Sequence, residues 1–88
     1  MKERELERAL KALANKRRLA IVALLKKSNT NDVGGIADHL KISFKATSKH
    51  LGILTSADIL EREQRSLQAF YSINKDAPEV AKKIISIL

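Results

Sequence analysis

The stretch Ile36-Ala-Asp-His-Leu-Lys-Ile-Ser-Phe-Lys-Ala-Thr-Ser-Lys-His-Leu-Gly-Ile-Leu54 leaves few folds open. A helix is expected to run to about Leu40, Lys41-Ile42 interrupts it, and Ser43 is a natural N-cap whose hydroxyl can accept the free amide hydrogens of a new turn. A second helix is therefore expected from Phe44 to about Leu54. Two short amphipathic segments joined by so tight a break must cross steeply, as in a helix-turn-helix. At about 100° per residue, Thr47, Leu51 and Leu54 fall on one face of the second helix, and Phe44, Lys45, Ser48, Lys49 and Gly52 on the other. The apolar face fixes the helix to a core. The cationic, hydrogen-bonding face suits a polyanionic groove. Periodicity alone also allows a plain surface helix with solvated lysines, and the capped turn is what favours the first reading.

The flanking chain supplies a scaffold. Residues 3–14 place Leu6, Ala9, Leu10 and Leu13 at helical spacing among charges. After Asn15, Lys16-Arg17-Arg18 opens a second helix whose Leu19, Ile21, Val22, Leu24 and Leu25 cover more than half its circumference, so it is expected to be central. Positive charge at a helix N-terminus opposes the macrodipole, so the triplet is not there for helix stability; it either touches phosphates or is a solvated helix start. Ser28-Asn-Thr-Asn-Asp32 reads as a polar loop, with a helix from about Val33 in which Gly34-Gly35 costs roughly 1 kcal/mol per glycine unless close packing compensates. Beyond Asp58, Ile59-Leu-Glu-Arg-Glu63 and Leu67-Gln-Ala-Phe-Tyr-Ser-Ile73 flank Gln64-Arg65-Ser66 and predict a two-stranded hairpin, with Leu67, Ala69, Tyr71 and Ile73 on one face. Asp76 and Pro78 signal a last helix over 79–88 with Val80, Ala81, Ile84, Ile85, Ile87 and Leu88 apolar. Its face either packs on its own domain or, as we favour, joins Leu6, Leu10 and Leu13 in a subunit interface.

Eighty-eight residues make one domain, and a chain of this size buries only about two-thirds of its unfolded surface, which invites oligomerisation. Seventeen Lys and Arg against ten Asp and Glu give +7, doubled in a symmetric dimer, and favour a nucleic-acid or anionic partner. With three aromatics (Phe44, Phe70 and Tyr71) there is little to stack single-stranded bases, so duplex DNA is the expected partner. No window approaches the roughly 20 apolar residues of a membrane span, and Met1-Lys-Glu-Arg-Glu5 lacks the apolar core of a signal peptide, so a cytoplasmic protein with no membrane partner is expected. The absence of cysteine rules out disulfides and thiolate sites in this chain.

The order helix, helix, helix-turn-helix, hairpin, helix resembles the winged-helix ArsR/SmtB-type transcriptional repressors. Ala12-Leu-Ala-Asn-Lys-Arg-Arg-Leu-Ala-Ile-Val-Ala-Leu-Leu25 is similar to that family's "ALADPTRLRILRLL"-like segment, and residues 36–51 to its "LAEALGLSQSTVSRHL"-like one; Ala57-Asp-Ile-Leu60 and Phe70-Tyr71-Ser-Ile73 match its hairpin. The resemblance implies a mainly α fold with a small β-hairpin wing and a homodimer paired through the first and last helices by Leu6, Leu10, Leu13, Val80, Ile84, Ile87 and Leu88. It also implies a repressor whose recognition helices enter successive major grooves. Carried over to these positions, Ser43, Phe44, Lys45, Ser48 and Lys49 contact DNA, Thr47 is counted with them, and His50 is either a phosphate contact or a packing histidine. The wing offers Arg62, Gln64 and Arg65. Departures are as telling: the family's turn glycine is Lys41 here, which implies a strained left-handed residue, its wing-tip glycine falls near Ser66, and a wing arginine falls on Leu67. The family's metal ligands are missing, and His39 and His50 lie on different helices without a cluster, so neither metal nor other cofactor is expected. The residues assign no effector.

Two rival functions stand beside this reading. A winged helix could serve protein-protein contact, with Phe44 and Leu67 as anchors, or bind DNA with little specificity as an architectural protein. An enzyme would need a site, and two unclustered histidines and Gly34-Gly35 without a P-loop lysine pattern do not make one.

Overall fold

The computed structural model describes residues 2–88. Along the chain lie α1 (Glu3–Leu13), α2 (Lys16–Ser28), β1 (Asn31–Asp32), α3 (Val33–Leu40), α4 (Phe44–Ser56), β2 (Leu60–Arg65), β3 (Gln68–Ile73) and α5 (Glu79–Ser86). Three of the five helices begin on a side-chain cap. The Asn15 amide oxygen accepts from the backbone N–H groups of Arg17 and Arg18 at 3.0 and 3.1 Å, Asp32 Oδ1 accepts from Gly35 N–H at 2.9 Å, and Ser43 Oγ accepts from Ala46 N–H at 3.0 Å. Each satisfies amide donors that the helix leaves unpaired. Asp76 does not start α5 as expected: its own N–H is held by Asn74 Oδ1 in the preceding turn, and Pro78 takes the N-cap position without a side-chain bond.

Helix α2 is central, as its broad apolar circumference predicts. Ile21, Val22 and Leu25 are fully buried, and α2 touches all four other helices and β3. Around it the core gathers Ile36 of α3, Leu51 and Leu54 of α4, Ile59, Leu60, Tyr71, Ala77, and Ala81 and Ile85 of α5. Burying one such Leu or Ile contributes about 1.5–3 kcal/mol, so α4 is anchored by two large side chains on a single face.

The hairpin differs from its expected form in two ways. It belongs to a three-stranded antiparallel sheet of order β1-β3-β2, because Asn31 pairs with Tyr71 and Asp32 with Phe70. And its turn is Ser66-Leu67, between the paired Arg65 and Gln68, so Leu67 sits at the tip, 96% exposed, instead of on the Ala69-Tyr71 face. Ser66 takes φ 57°, the left-handed backbone that a two-residue hairpin turn demands of its first central residue. Asp32 ties this sheet to the helix-turn-helix: while Oδ1 caps α3, Oδ2 accepts from Gln68 Nε2 at 2.9 Å. Helices α3 and α4 with this sheet form a winged helix-turn-helix.

Backbone freedom is distributed unusually. The left-handed positions fall on Asn29, Lys41, Asp58 and Ser66, all with a Cβ, while Gly34, Gly35 and Gly52 lie inside helices. Lys41, at φ 57° and ψ 44°, makes the turn between α3 and α4, as its place at a family glycine implied. Gly35 has a steric reason: a Cβ there would collide with the Asn31 amide oxygen, whereas Gly34 and Gly52 face open space.

Candidate nucleic-acid interface

Helix α4 is two-faced. Thr47, Leu51 and Leu54 are sealed in the core, and Phe44, Lys45, Ser48, Lys49 and Gly52 are exposed, Phe44 to 62%. Ser43, the cap, is also exposed, so hydroxyl, phenyl and ammonium groups share the N-terminal half of one outward face. Among the described residues neither Lys45 nor Lys49 has a carboxylate within salt-bridge distance, which leaves both charges free for an anionic partner. Thr47 does not belong with them. It is 0% exposed and its hydroxyl donates to the Ser43 carbonyl at 2.8 Å, so it locks the first turn of α4 from the inside.

Between this face and the wing runs a cleft of about 420 Å³, lined among others by Phe44, Ser48, Arg62, Gln64 and Leu67. Strand alternation sends Arg62 and Gln64 to the cleft side of β2, with Arg62 Nη2 donating to Gln64 Oε1 at 2.7 Å. Arg65 points the other way. It stacks over Phe70, 4.9 Å from the ring centre, and its Nη2 donates to Glu63 at 2.8 Å, so the structure does not bring it together with α4.

His50 is half-buried and turned from the outward face toward α2. Its Nδ1 lies 3.2 Å from Arg18 Nη1, in a cleft shared with Lys16, Arg17 and Leu40. Burial first, then the charges of Arg18, Arg17 and Lys49, lower its pKa below the ordinary 6.5, which keeps the ring neutral at neutral pH. Arg18 also donates from Nε to the Ala12 carbonyl at 2.6 Å and from Nη2 to the Lys11 carbonyl at 3.3 Å. Sequence reasoning missed this hub. Its signal was present: a cation placed where the α2 macrodipole disfavours it is explained by the carbonyl end of α1, which attracts it.

The apolar residues of the terminal helices divide. Leu6 and Leu10 are exposed on α1, Ile87 is 82% exposed beyond α5, Leu88 is exposed, and Val80 and Ile84 are half-buried. Leu13 is 2% exposed within its own protomer, so it is core and cannot form part of an open interface. Helices α1 and α5 lie against each other. Lys26 Nζ donates to the Ile85, Ser86 and Leu88 carbonyls at 3.0–3.3 Å and closes the end of α5. No helix among the described residues is long and apolar enough to cross a membrane.

Comparison with known proteins agrees with this architecture. Over 64 residues the chain is 34% identical to the transcriptional repressor SdpR of Bacillus subtilis (strain 168), covering 73% of this chain and 70% of that protein. The crystal structure of the transcriptional repressor PagR of Bacillus anthracis superposes with a TM-score of 0.80 at 30% identity, over 97% of this chain and 94% of that one. The homodimeric winged helix-turn-helix DNA-binding domain Mb0332 of Mycobacterium bovis gives 0.80 at 29% identity, over 94% of this chain and 73% of that one. The profile of the family described as "Bacterial regulatory protein, arsR family" matches residues 15–62, which span α2 through the start of the wing, and the chain belongs to that family.

Proposed function

We propose that the protein is a sequence-specific repressor that binds duplex DNA as a homodimer, with α4 in the major groove. The observation that carries this is the division of α4: a face anchored in the core holds an opposite face of unpaired cations and hydroxyls rigidly outward. Lys45, Ser48 and Lys49 reach base edges and phosphates, Ser43 and the start of α4 meet a phosphate, and Phe44 offers apolar contact to a thymine methyl. Arg62 and Gln64 extend the surface along the wing. The exposed Leu6, Leu10 and Ile87, with half-buried Val80 and Ile84, form the subunit contact, and symmetry then sets two half-sites about one helical turn apart. A bacterial regulator of this kind works in the cytoplasm, where the chromosome lies. The function is binding, with no catalytic step.

One observation favours a second reading. Phe44 and Leu67, both strongly exposed, flank the same cleft, as anchors for a protein partner would. Selection of bound fragments from a random duplex pool decides between them: recovery of a common, two-fold symmetric sequence supports repression through DNA, and recovery of no sequence above background refutes it.

A further inference from the structure

One side chain joins three helices. The Arg18 backbone N–H is held by Asn15 at the start of α2, its Nε and Nη2 donate to the Ala12 and Lys11 carbonyls at the end of α1, and its Nη1 meets His50 in the middle of α4. The last carbonyls of a helix lack internal partners, so Arg18 satisfies and electrostatically complements the end of α1. It lies where the groove between α1 and α4 opens beside Lys49 and Gly52. Helix α1 carries the exposed Leu6 and Leu10, and α4 carries the reading face. The distance between two recognition helices in a dimer depends on how each α4 is set against its own α1.

We propose that Arg18 is a positioning residue for DNA recognition: by clamping the end of α1 to Nδ1 of His50, it fixes the recognition helix relative to the dimer-forming helix and so sets half-site register. This rests on the assignment of α4 as the recognition helix. The clamp requires Nδ1 as acceptor, hence a neutral ring with its proton on Nε2. The charged groups facing that ring are Arg18 and Arg17 from α2 and Lys49 from α4 itself, with Lys16 in the same cleft; α3 presents Leu40, and among the described residues α1 contributes no side chain to the cleft. All are cationic, so none holds a proton on the ring. Acidification protonates His50, removes the acceptor and sets a further cation among like charges. Two effects on DNA then oppose each other, since an added positive charge attracts phosphate while a released helix loses its register.

The test uses a duplex that the wild-type protein recovers from a random pool, beside an unselected duplex of equal length. Arg18→Lys keeps the charge and loses the fork, and is expected to weaken selected-duplex binding about tenfold while leaving unselected binding unchanged. His50→Ala is expected to do the same. His50→Asn places an amide oxygen where Nδ1 stood, and is expected to retain selected affinity both near neutrality and in a titration to acid pH, over which the wild type loses it. Thermal melts fix a temperature at which each variant is folded, and if Arg18→Lys does not fold the two His50 variants carry the test. Equal loss on both duplexes would make Arg18 a phosphate contact, and unchanged binding would make it merely structural; either overturns the proposal. So does a wild type that gains affinity over His50→Asn on acidification. A wild type without preference among duplexes removes the recognition-helix assignment itself, and the clamp's role with it.

Discussion

Replacing Lys45 and Lys49 together by alanine isolates the electrostatic part of the proposed interface. The two side chains are four residues apart on the exposed face of α4, and among the described residues neither has an intramolecular carboxylate to release on binding. A dimer presents both twice. If each ammonium displaces one condensed counterion, the log-log dependence of affinity on salt loses about 0.9 per lysine, or about 3.6 for the double variant. Between 50 and 200 mM salt that slope corresponds to a change on the order of 100-fold in how strongly the wild type outbinds the variant. Any share of the two side chains that reads bases instead lowers this figure and appears as a larger loss on selected than on unselected duplex. Stability should stay within about 0.5 kcal/mol, because both residues are exposed and unpaired. The assay is fluorescence anisotropy on a selected duplex at several salt concentrations. Wild-type affinity and an unchanged slope in the double variant would refute the assignment of α4 as the DNA-facing helix.

Four further outcomes follow from particular contacts. Thr47→Val keeps the buried volume but removes the hydroxyl's bond to the Ser43 carbonyl, which retains only the backbone N–H of residue 47 at 3.0 Å, so a denaturant melt should show a loss of about 1 kcal/mol while DNA affinity per folded dimer is unchanged. Leu6→Glu with Leu10→Glu should shift sedimentation toward monomer with little change in protomer fold, whereas Leu13→Ala should cost about 2–5 kcal/mol in the protomer itself. Gly34→Ala should stabilise by up to about 1 kcal/mol, and Gly35→Ala should destabilise because Asn31 occupies the space its Cβ needs. As His50 has its pKa lowered in the folded state, the unfolded chain binds the proton first; its contribution to stability is complete above about pH 6.5 and is lost as pH falls toward the folded value, and His50→Asn should flatten that part of a pH-stability profile.

What the sequence made legible was local. Ser43 announced α4, the polar loop over residues 28–32 announced α3 without saying which residue caps it, and the alternation of lysines with buried aliphatics identified the face that reaches the surface. What it hid depended on distance. Two residues, Asn31 and Asp32, carry no alternation from which a strand could be inferred, and only pairing with Phe70 and Tyr71 makes them one. Helical spacing places Leu13 beside Leu6 and Leu10 without saying which of them meets its own core and which a partner. Thr47 stands in the family's contact set, yet its place beside Leu51 and Leu54 points inward, and the burial of its γ-oxygen against the Ser43 carbonyl decides it. The Arg18 hub needs three chain segments at once, and the basic triplet could be recognised only as something unexplained by its own helix.

The carboxylate of Asp32 has a mechanical consequence. It fastens Gln68, the first residue of β3, to the first turn of α3, while β1 braces Phe70 and Tyr71 in the middle of the strand, so the Arg65-Gln68 rung is held on its β3 side although it lies past that brace. The wing is thus propped near its tip as well as braced at its middle: β3 turns with the helix-turn-helix from its first residue onward, and beyond the prop stand the Ser66-Leu67 turn and the β2 side chains, which bond chiefly to one another. In the proposed complex the reading face of α4 and strand β3 therefore move together, and adjustment to groove width falls to the side chains of β2 and to Leu67 at the turn.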